Sequence, residues 1–134
     1  LHGSSAASDV YKRQIMENLA ETRGPAGGSL LDEVTVVVMS EMGRAPSLNA
    51  VGGKDHWTFT SAMLMGAGVR GGAVAGGYAS GLVGAPTDQV SGAVHAEGTR
   101  LTSAHLGATL IAMAGLDPGI LVPNGAPIPA LFTA

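Results

Sequence analysis

Val34 to Met39 reads VTVVVM, and Ser40 to Trp57 continues it as SEMGRAPSLNAVGGKDHW. The first stretch carries no charge and is mostly β-branched, the pattern of a strand buried on both faces of a parallel sheet. The second is a polar, Gly- and Pro-bearing loop. It gathers Glu41, Arg44, Asn49, Lys54, Asp55, His56 and Trp57 in a chain with only 13% charged residues. In open α/β sheets ligands collect outside the carboxyl ends of the strands. The loop that leaves this strand is therefore where chemistry is expected.

Working outward, Phe59 to Met65, FTSAMLM, is a second strand, ended by Gly66-Ala67-Gly68. Val69 to Tyr78 reads as a turn and a short strand around Ala73 to Ala75, and Ala79 to Gly98 as a long loop. Thr102 to Ala114, TSAHLGATLIAMA, is a helix with Thr102 as N-cap and Leu106, Leu110 and Met113 on one face. Gly115 ends it, and Pro118 bars its resumption. Pro123, Pro127 and Pro129 predict extended surface chain from Ile120 to Ala134. On the other side, Ile15 to Arg23 has the spacing of the last turns of a helix, stopped at Gly24 to Gly28. Helix, strand, loop, strand, strand, loop, helix is an α/β order.

The 134 residues allow one domain. Lys and Arg number 7 against 10 Asp and Glu, so no basic face suggests a nucleic-acid partner. No apolar run is long enough for a membrane span. Cysteine is absent, so any metal must be held by His, Asp, Glu or water. Ser4 to Gln14, SSAASDVYKRQ, reads codon by codon as a translated sequencing adapter. Residues 1–14 are therefore expected to be non-native and disordered, leaving 15–134 as the C-terminal part of one domain. Without Asp9, Lys12 and Arg13 the net charge moves from −3 to −4. On this reading the natural start, with any signal peptide, lies upstream.

Glu41 follows the strand closely, so the strand fixes its position. With His56, or with Asp55, it can offer mixed oxygen and nitrogen ligands to a divalent cation. Asp55 and His56 are adjacent and on an extended chain point apart. Arg44 is the natural fork for a phosphate or sulfate. The alternatives are a Glu41–Arg44 ion pair and an ordinary Asp-His loop. Trp57 is expected to pack beside His56. His95 and His105 are expected at the surface, and Met39, Met63, Met65 and Met113 in the core. The Gly66 to Gly72 turn lacks the Gly-Lys-Ser/Thr ending of a phosphate loop and reads as a tight turn. No His stands at a spacing that would make a triad with Ser40.

Four segments in order, VTVVVMSEMGRAP, GGKDHW, LMGAGVRGGAVAGG and LTSAHLGATLIAMAGLDP, resemble the bacterial domain of unknown function 1501. The resemblance covers about Leu30 to Pro118, with GAPIPALF near the end also fitting. The chain departs from that pattern at Met42 for Phe, Ala45 for Thr, Lys54 for Arg and His105 for an acidic residue. A histidine there is not expected to supply the carboxylate half of a capping box. The family in turn resembles the alkaline phosphatase and sulfatase superfamily. That resemblance implies a fragment of a mostly parallel sheet flanked by helices, and metal ligands at the places of Glu41, Met42 and His56. Met42 is a poor ligand for a hard cation. It also implies a periplasmic or secreted parent, with the nucleophile on an upstream strand.

Two functional readings follow. In the first, the parent is a metal-dependent hydrolase of phosphate or sulfate esters. Glu41, Asp55 and His56 then hold a divalent metal, Arg44 is the catalytic anion-stabilising group, and this fragment is inactive alone. Its partners would be a small anionic ester and the missing N-terminal part of its own domain. In the second, the parent is a non-catalytic exported surface or scaffold protein that keeps the hydrolase-like fold.

Overall fold

The computed structural model describes residues 3–133. Helix α1 runs from Gly3 to Glu21 and is followed by a single-turn helix at Leu30–Asp32. The strands are β1 (Thr35–Met39), β2 (Gly43–Arg44), β3 (His56–Trp57), β4 (Ala62–Gly66), β5 (Pro86–Thr87) and β6 (Thr99–Arg100). Helix α2 (Ser103–Met113) and the short helix α3 (Pro118–Leu121) close the order.

The implied mostly parallel sheet is not what these residues form. Among the described residues there are three sheets of two strands each, β1–β4, β2–β3 and β5–β6, and every pair is antiparallel. The reason lies in the connection. Parallel neighbours need a crossover that carries the chain back, usually a helix. Between Met39 and Ala62 there is no helix, only the β2–β3 hairpin. The chain re-enters beside the end it left, with Met39 opposite Ala62 and Thr35 opposite Gly66. Gly66 is needed there: its φ is 96° and a Cβ would run into the Val34 carbonyl.

The strand expected at Val34 to Met39 is present, but not doubly buried. Thr35 to Val37 are half-buried, and Val38 and Met39 are exposed. Met39 and Met63, expected in the core, are 55% and 48% exposed. Among the described residues the buried apolar ones are Ala45, Ala85, Ala108, Ile128 and Ala130, four of them alanines. This interior holds little apolar volume. The accessible surface, 8708 Å², exceeds by about 2,200 Å² what a folded monomer of 13.3 kDa exposes.

Helix α2 matches its sequence signature, with Thr102 at the N-cap and Gly115 beyond the end at φ 72°. The chain after it differs from expectation. Pro118 starts a helix instead of only preventing one, because proline fits the first helical position and Asp117 caps it, accepting from the Gly119 N–H at 2.8 Å. The tail is not simply surface chain either: Ile128 and Ala130 are buried. The Ile128 N–H donates to the Thr109 hydroxyl at 3.0 Å.

Helix α1 passes without a break through Ser4–Gln14, where disorder was expected. Lys12 pairs with Asp9 at 2.7 Å and Arg13 with Glu17 at 3.7 Å, the spacings that support a solvated helix. Tyr11 and Val10 are exposed. Residues 1 and 2, part of the same expectation, lie outside the described residues.

Candidate functional site

The β2–β3 hairpin carries the polar loop. Gly43 stands opposite Trp57, and Arg44 opposite His56. The Ala45 N–H donates to the Asp55 carbonyl at 2.9 Å, which extends the ladder by one pair. Hydrogen-bonded and non-bonded pairs alternate in an antiparallel ladder. Arg44 and His56 therefore form a non-bonded pair, the kind whose side chains approach most closely. Both are exposed and project from one face. Arg44 Nη1 donates to the Lys54 carbonyl at 3.2 Å, which lays the guanidinium along the hairpin.

Asn49 organises the connection between the strands. Its Oδ1 accepts from the Val51 N–H at 3.1 Å and the Gly53 N–H at 2.9 Å, and its Nδ2 donates to Asp55 Oδ1 at 2.8 Å. The sequence reading places Asn49 in the polar cluster without assigning it this role. The available signal was an Asx-type turn signature, asparagine followed by Ala-Val-Gly-Gly. Trp57 is half-buried, and its indole N–H donates to the Leu82 carbonyl at 2.9 Å, tying the hairpin to the 79–83 turn. Gly43 permits a close approach, since a Cβ there would strike the Phe59 carbonyl.

The four residues named from the sequence divide into three places. Arg44 and His56 share a face. Asp55, one residue before His56, accepts from Asn49. Glu41 lies on a separate cleft of about 1050 Å³, whose lining residues include neither Arg44, Asp55 nor His56. Among the described residues no three His, Asp or Glu side chains group so as to hold a metal ion. Asp55 Oδ1 accepts from Asn49, and Arg44 stands opposite His56 in the register.

The cleft lies between the segment entering β4 and the Gly-rich stretch Val69 to Tyr78. Ser61 Oγ and the Tyr78 hydroxyl meet across it at 3.4 Å. Leu106, Ile128 and Leu131 also line it. Gly66, Gly68 and Gly72 all have positive φ, as the tight-turn reading of Gly66 to Gly72 requires.

His95 is exposed as expected, and its Nδ1 accepts from the Glu97 N–H at 3.3 Å. His105 is not a surface residue: it is 9% exposed. Its Nδ1 accepts from the Thr102 N–H at 3.2 Å and lies 2.9 Å from the Thr102 hydroxyl. An imidazole thus completes the capping box that was expected to need a carboxylate.

No described helix is long and apolar enough to cross a membrane. No curated protein and no solved structure matches the chain. Residues 27–129 match the family described as Protein of unknown function (DUF1501), spanning the β1–β4 sheet, the Arg44–His56 hairpin, the cleft and helix α2. The chain is a member of that family.

Proposed function

We propose that this chain is the C-terminal, anion-binding part of a domain that acts on phosphate or sulfate esters. The observation that carries the reading is the Arg44–His56 pair, a guanidinium and an imidazole opposed on one exposed face. A planar fork beside a ring N–H donor suits a tetrahedral oxyanion. Arg44 binds the charged oxygens, and the hairpin, held by Asn49 and Trp57, fixes its direction. A nucleophile and any metal ligands come from the rest of the domain, so this chain has no turnover alone. The resemblance to phosphatases and sulfatases supports an exported parent.

Phenyl phosphate and phenyl sulfate, titrated separately into the chain, test the reading. Arg44 Nε and His56 ring resonances should move together, and Arg44→Gln should weaken binding about 3- to 10-fold, the scale of an exposed charge-assisted contact. Saturating ester that moves neither residue would overturn it.

A second reading, a non-catalytic exported scaffold with a hydrolase-like fold, is favoured by Met42 next to Glu41, a thioether where a hard cation would need an oxygen or nitrogen ligand. Turnover of 4-nitrophenyl phosphate or sulfate by the full-length parent with divalent cations would reject it.

A further inference from the structure

The tip of the β2–β3 hairpin is apolar and its stem is basic. Pro46 to Gly53 reads PSLNAVGG and carries no charge. Leu48 is 66% exposed and Val51 90%. Single exposed aliphatic side chains are ordinary on a protein surface. Here two stand three residues apart on one ordered turn. The Asn49 N–H donates to the Gly53 carbonyl at 2.8 Å, and the Gly52 N–H to the Asn49 carbonyl at 3.0 Å. Asn49 Oδ1 accepts from the Val51 and Gly53 N–H groups. The donors of Asn49, Val51, Gly52 and Gly53 are thus satisfied inside the loop, without water. Such a turn enters an apolar medium at low cost, because most of its backbone donors need no new partner there.

The charges stand directly behind this tip. Residues 42–57 hold Arg44 and Lys54 against Asp55, a local +1 in a chain of net −3. Asp55 Oδ1 is engaged by the Asn49 amide, and Glu41, just before the hairpin, lines the cleft instead. The Arg44 guanidinium reaches the Lys54 carbonyl at 3.2 Å, which draws it from its place opposite His56 toward the tip. Lys54 is three residues from Val51, so their backbones are at most about 11 Å apart. Interfacial elements seat apolar side chains about 5–10 Å into the boundary between lipid headgroups and acyl chains. With Leu48 and Val51 at that depth, Arg44 and Lys54 are within reach of the headgroup phosphates.

We infer that the anion met by the Arg44–His56 pair is the headgroup phosphate of an anionic lipid in a membrane surface, with Leu48 and Val51 inserted among the acyl chains below it. This rests on the reading of that pair as an oxyanion site and names the class of ester it takes. Two observations favour a bilayer over a protein partner. The tip offers aliphatic and small side chains and no aromatic one, whereas protein interfaces draw most of their energy from Trp, Tyr and Arg, and Leu, Ser and Val contribute little there. Two aliphatic side chains also fall far short of the roughly 800 Å² that each partner of a stable protein complex buries. A bilayer needs neither a matching pocket nor that area. It needs an apolar tip backed by positive charge, and the hairpin supplies both.

The chain has no cysteine, so Ala50→Cys carries one environment-sensitive fluorophore between Leu48 and Val51. Vesicles of phosphatidylcholine and phosphatidylglycerol in equal parts should shift its emission to the blue, and lipids brominated in the acyl chain should quench it. Phosphatidylcholine vesicles should bind about 5-fold or more weakly, the scale of one juxtamembrane charge. The same label at Val90→Cys, an exposed position outside the hairpin, should stay in water. Leu48→Ser with Val51→Ser should weaken binding to the anionic vesicles about 10-fold or more, and Val51→Ser alone about 3-fold or more. Protection of the Gly53 amide reports that the turn is intact in each variant. An Ala50 label that stays in water, equal quenching at Val90, equal binding to both vesicle compositions, or serine variants with intact turns that bind as tightly as the unaltered chain would each overturn the inference. Phenyl phosphate titration separates the two levels. If it moves Arg44 and His56 while vesicles leave the tip in water, the oxyanion reading stands and the lipid inference falls; if it moves neither residue, the reading beneath it falls as well.

Discussion

The side-chain amide of Asn49 donates to the Asp55 carboxylate at 2.8 Å across the loop that joins β2 to β3. The same side chain accepts from two backbone N–H groups, so one residue holds both the turn and the approach to His56. Asn49→Ala removes three hydrogen bonds at an exposed site. Each is worth about 0.5–1.5 kcal/mol at most, and solvent replaces much of that. The expected loss is about 1 kcal/mol, with faster amide exchange at Val51 and Gly53. Asn49→Asp keeps the acceptor for both N–H groups but sets a carboxylate against Asp55. Its exchange rates at Val51 and Gly53 should stay close to those of the unaltered chain at neutral pH, while His56 resonances move.

Asp88 gives the chain a pH-dependent turn. Its Oδ1 accepts from the Ser91 N–H at 2.7 Å, the Ser91 hydroxyl at 2.9 Å and the Val90 N–H at 3.0 Å. The Ser91 backbone bond, then its hydroxyl, hold the carboxyl below the ordinary 3.8, with smaller help from Val90 and from His95 nearby. A carboxyl depressed in the folded state favours folding above its unfolded value, and the benefit disappears as pH falls through the folded value. The turn should therefore be constant above about pH 5 and loosen below 3.8. Ser91 amide shifts followed from pH 6 to 2 measure it, and Asp88→Asn should flatten the profile in that window.

What the sequence made legible follows from local rules. The β-branched run at Val34 to Met39 gave a strand, and Thr102 with Gly115 bracketed helix α2, because such signals act within a few residues. Pairing direction was not local. Nothing in VTVVVM distinguishes a parallel neighbour from the antiparallel β4, and the absence of a helix between Met39 and Ala62 was the only cue. Burial misled for the same reason: an uncharged strand reads as covered, while Val38 and Met39 have no covering layer here. At the site, the cluster was visible from composition, but its division into the Arg44–His56 pair, Asp55 with Asn49, and Glu41 on the cleft depends on register, which one residue of slip would reverse.

His105 shows that a capping box depends on an acceptor at the right reach, not on charge. Its Nδ1 serves the Thr102 N–H at 3.2 Å, a place where Glu or Gln is usual. His105→Ala should destabilise the chain by about 1–2 kcal/mol through loss of the cap and of a buried side chain. His105→Gln, which keeps a reaching acceptor, should recover a clear part of that. Urea unfolding midpoints of the two variants compare them directly. Equal midpoints would mean that ring packing, and not the bond to Thr102, is what matters.

Thr109 joins the tail to helix α2. Its side chain is fully buried, donates to the His105 carbonyl at 2.7 Å and accepts from the Ile128 N–H at 3.0 Å. The hydroxyl thus satisfies a backbone donor that has little access to water, Ile128 being 4% exposed. Thr109→Val keeps shape and volume but leaves that N–H without a partner, a cost of about 1–3 kcal/mol. Thr109→Ser keeps both bonds and loses one methyl, about 1 kcal/mol. If the hydroxyl anchors the tail, the valine variant should be the less stable of the two, and its Ile128 amide should exchange faster while helix α2 amides stay protected. If the methyl dominates, the order reverses. Protection at Ile128 decides between them even where the midpoints are close, because it reads the bond from Ile128 to Thr109 itself.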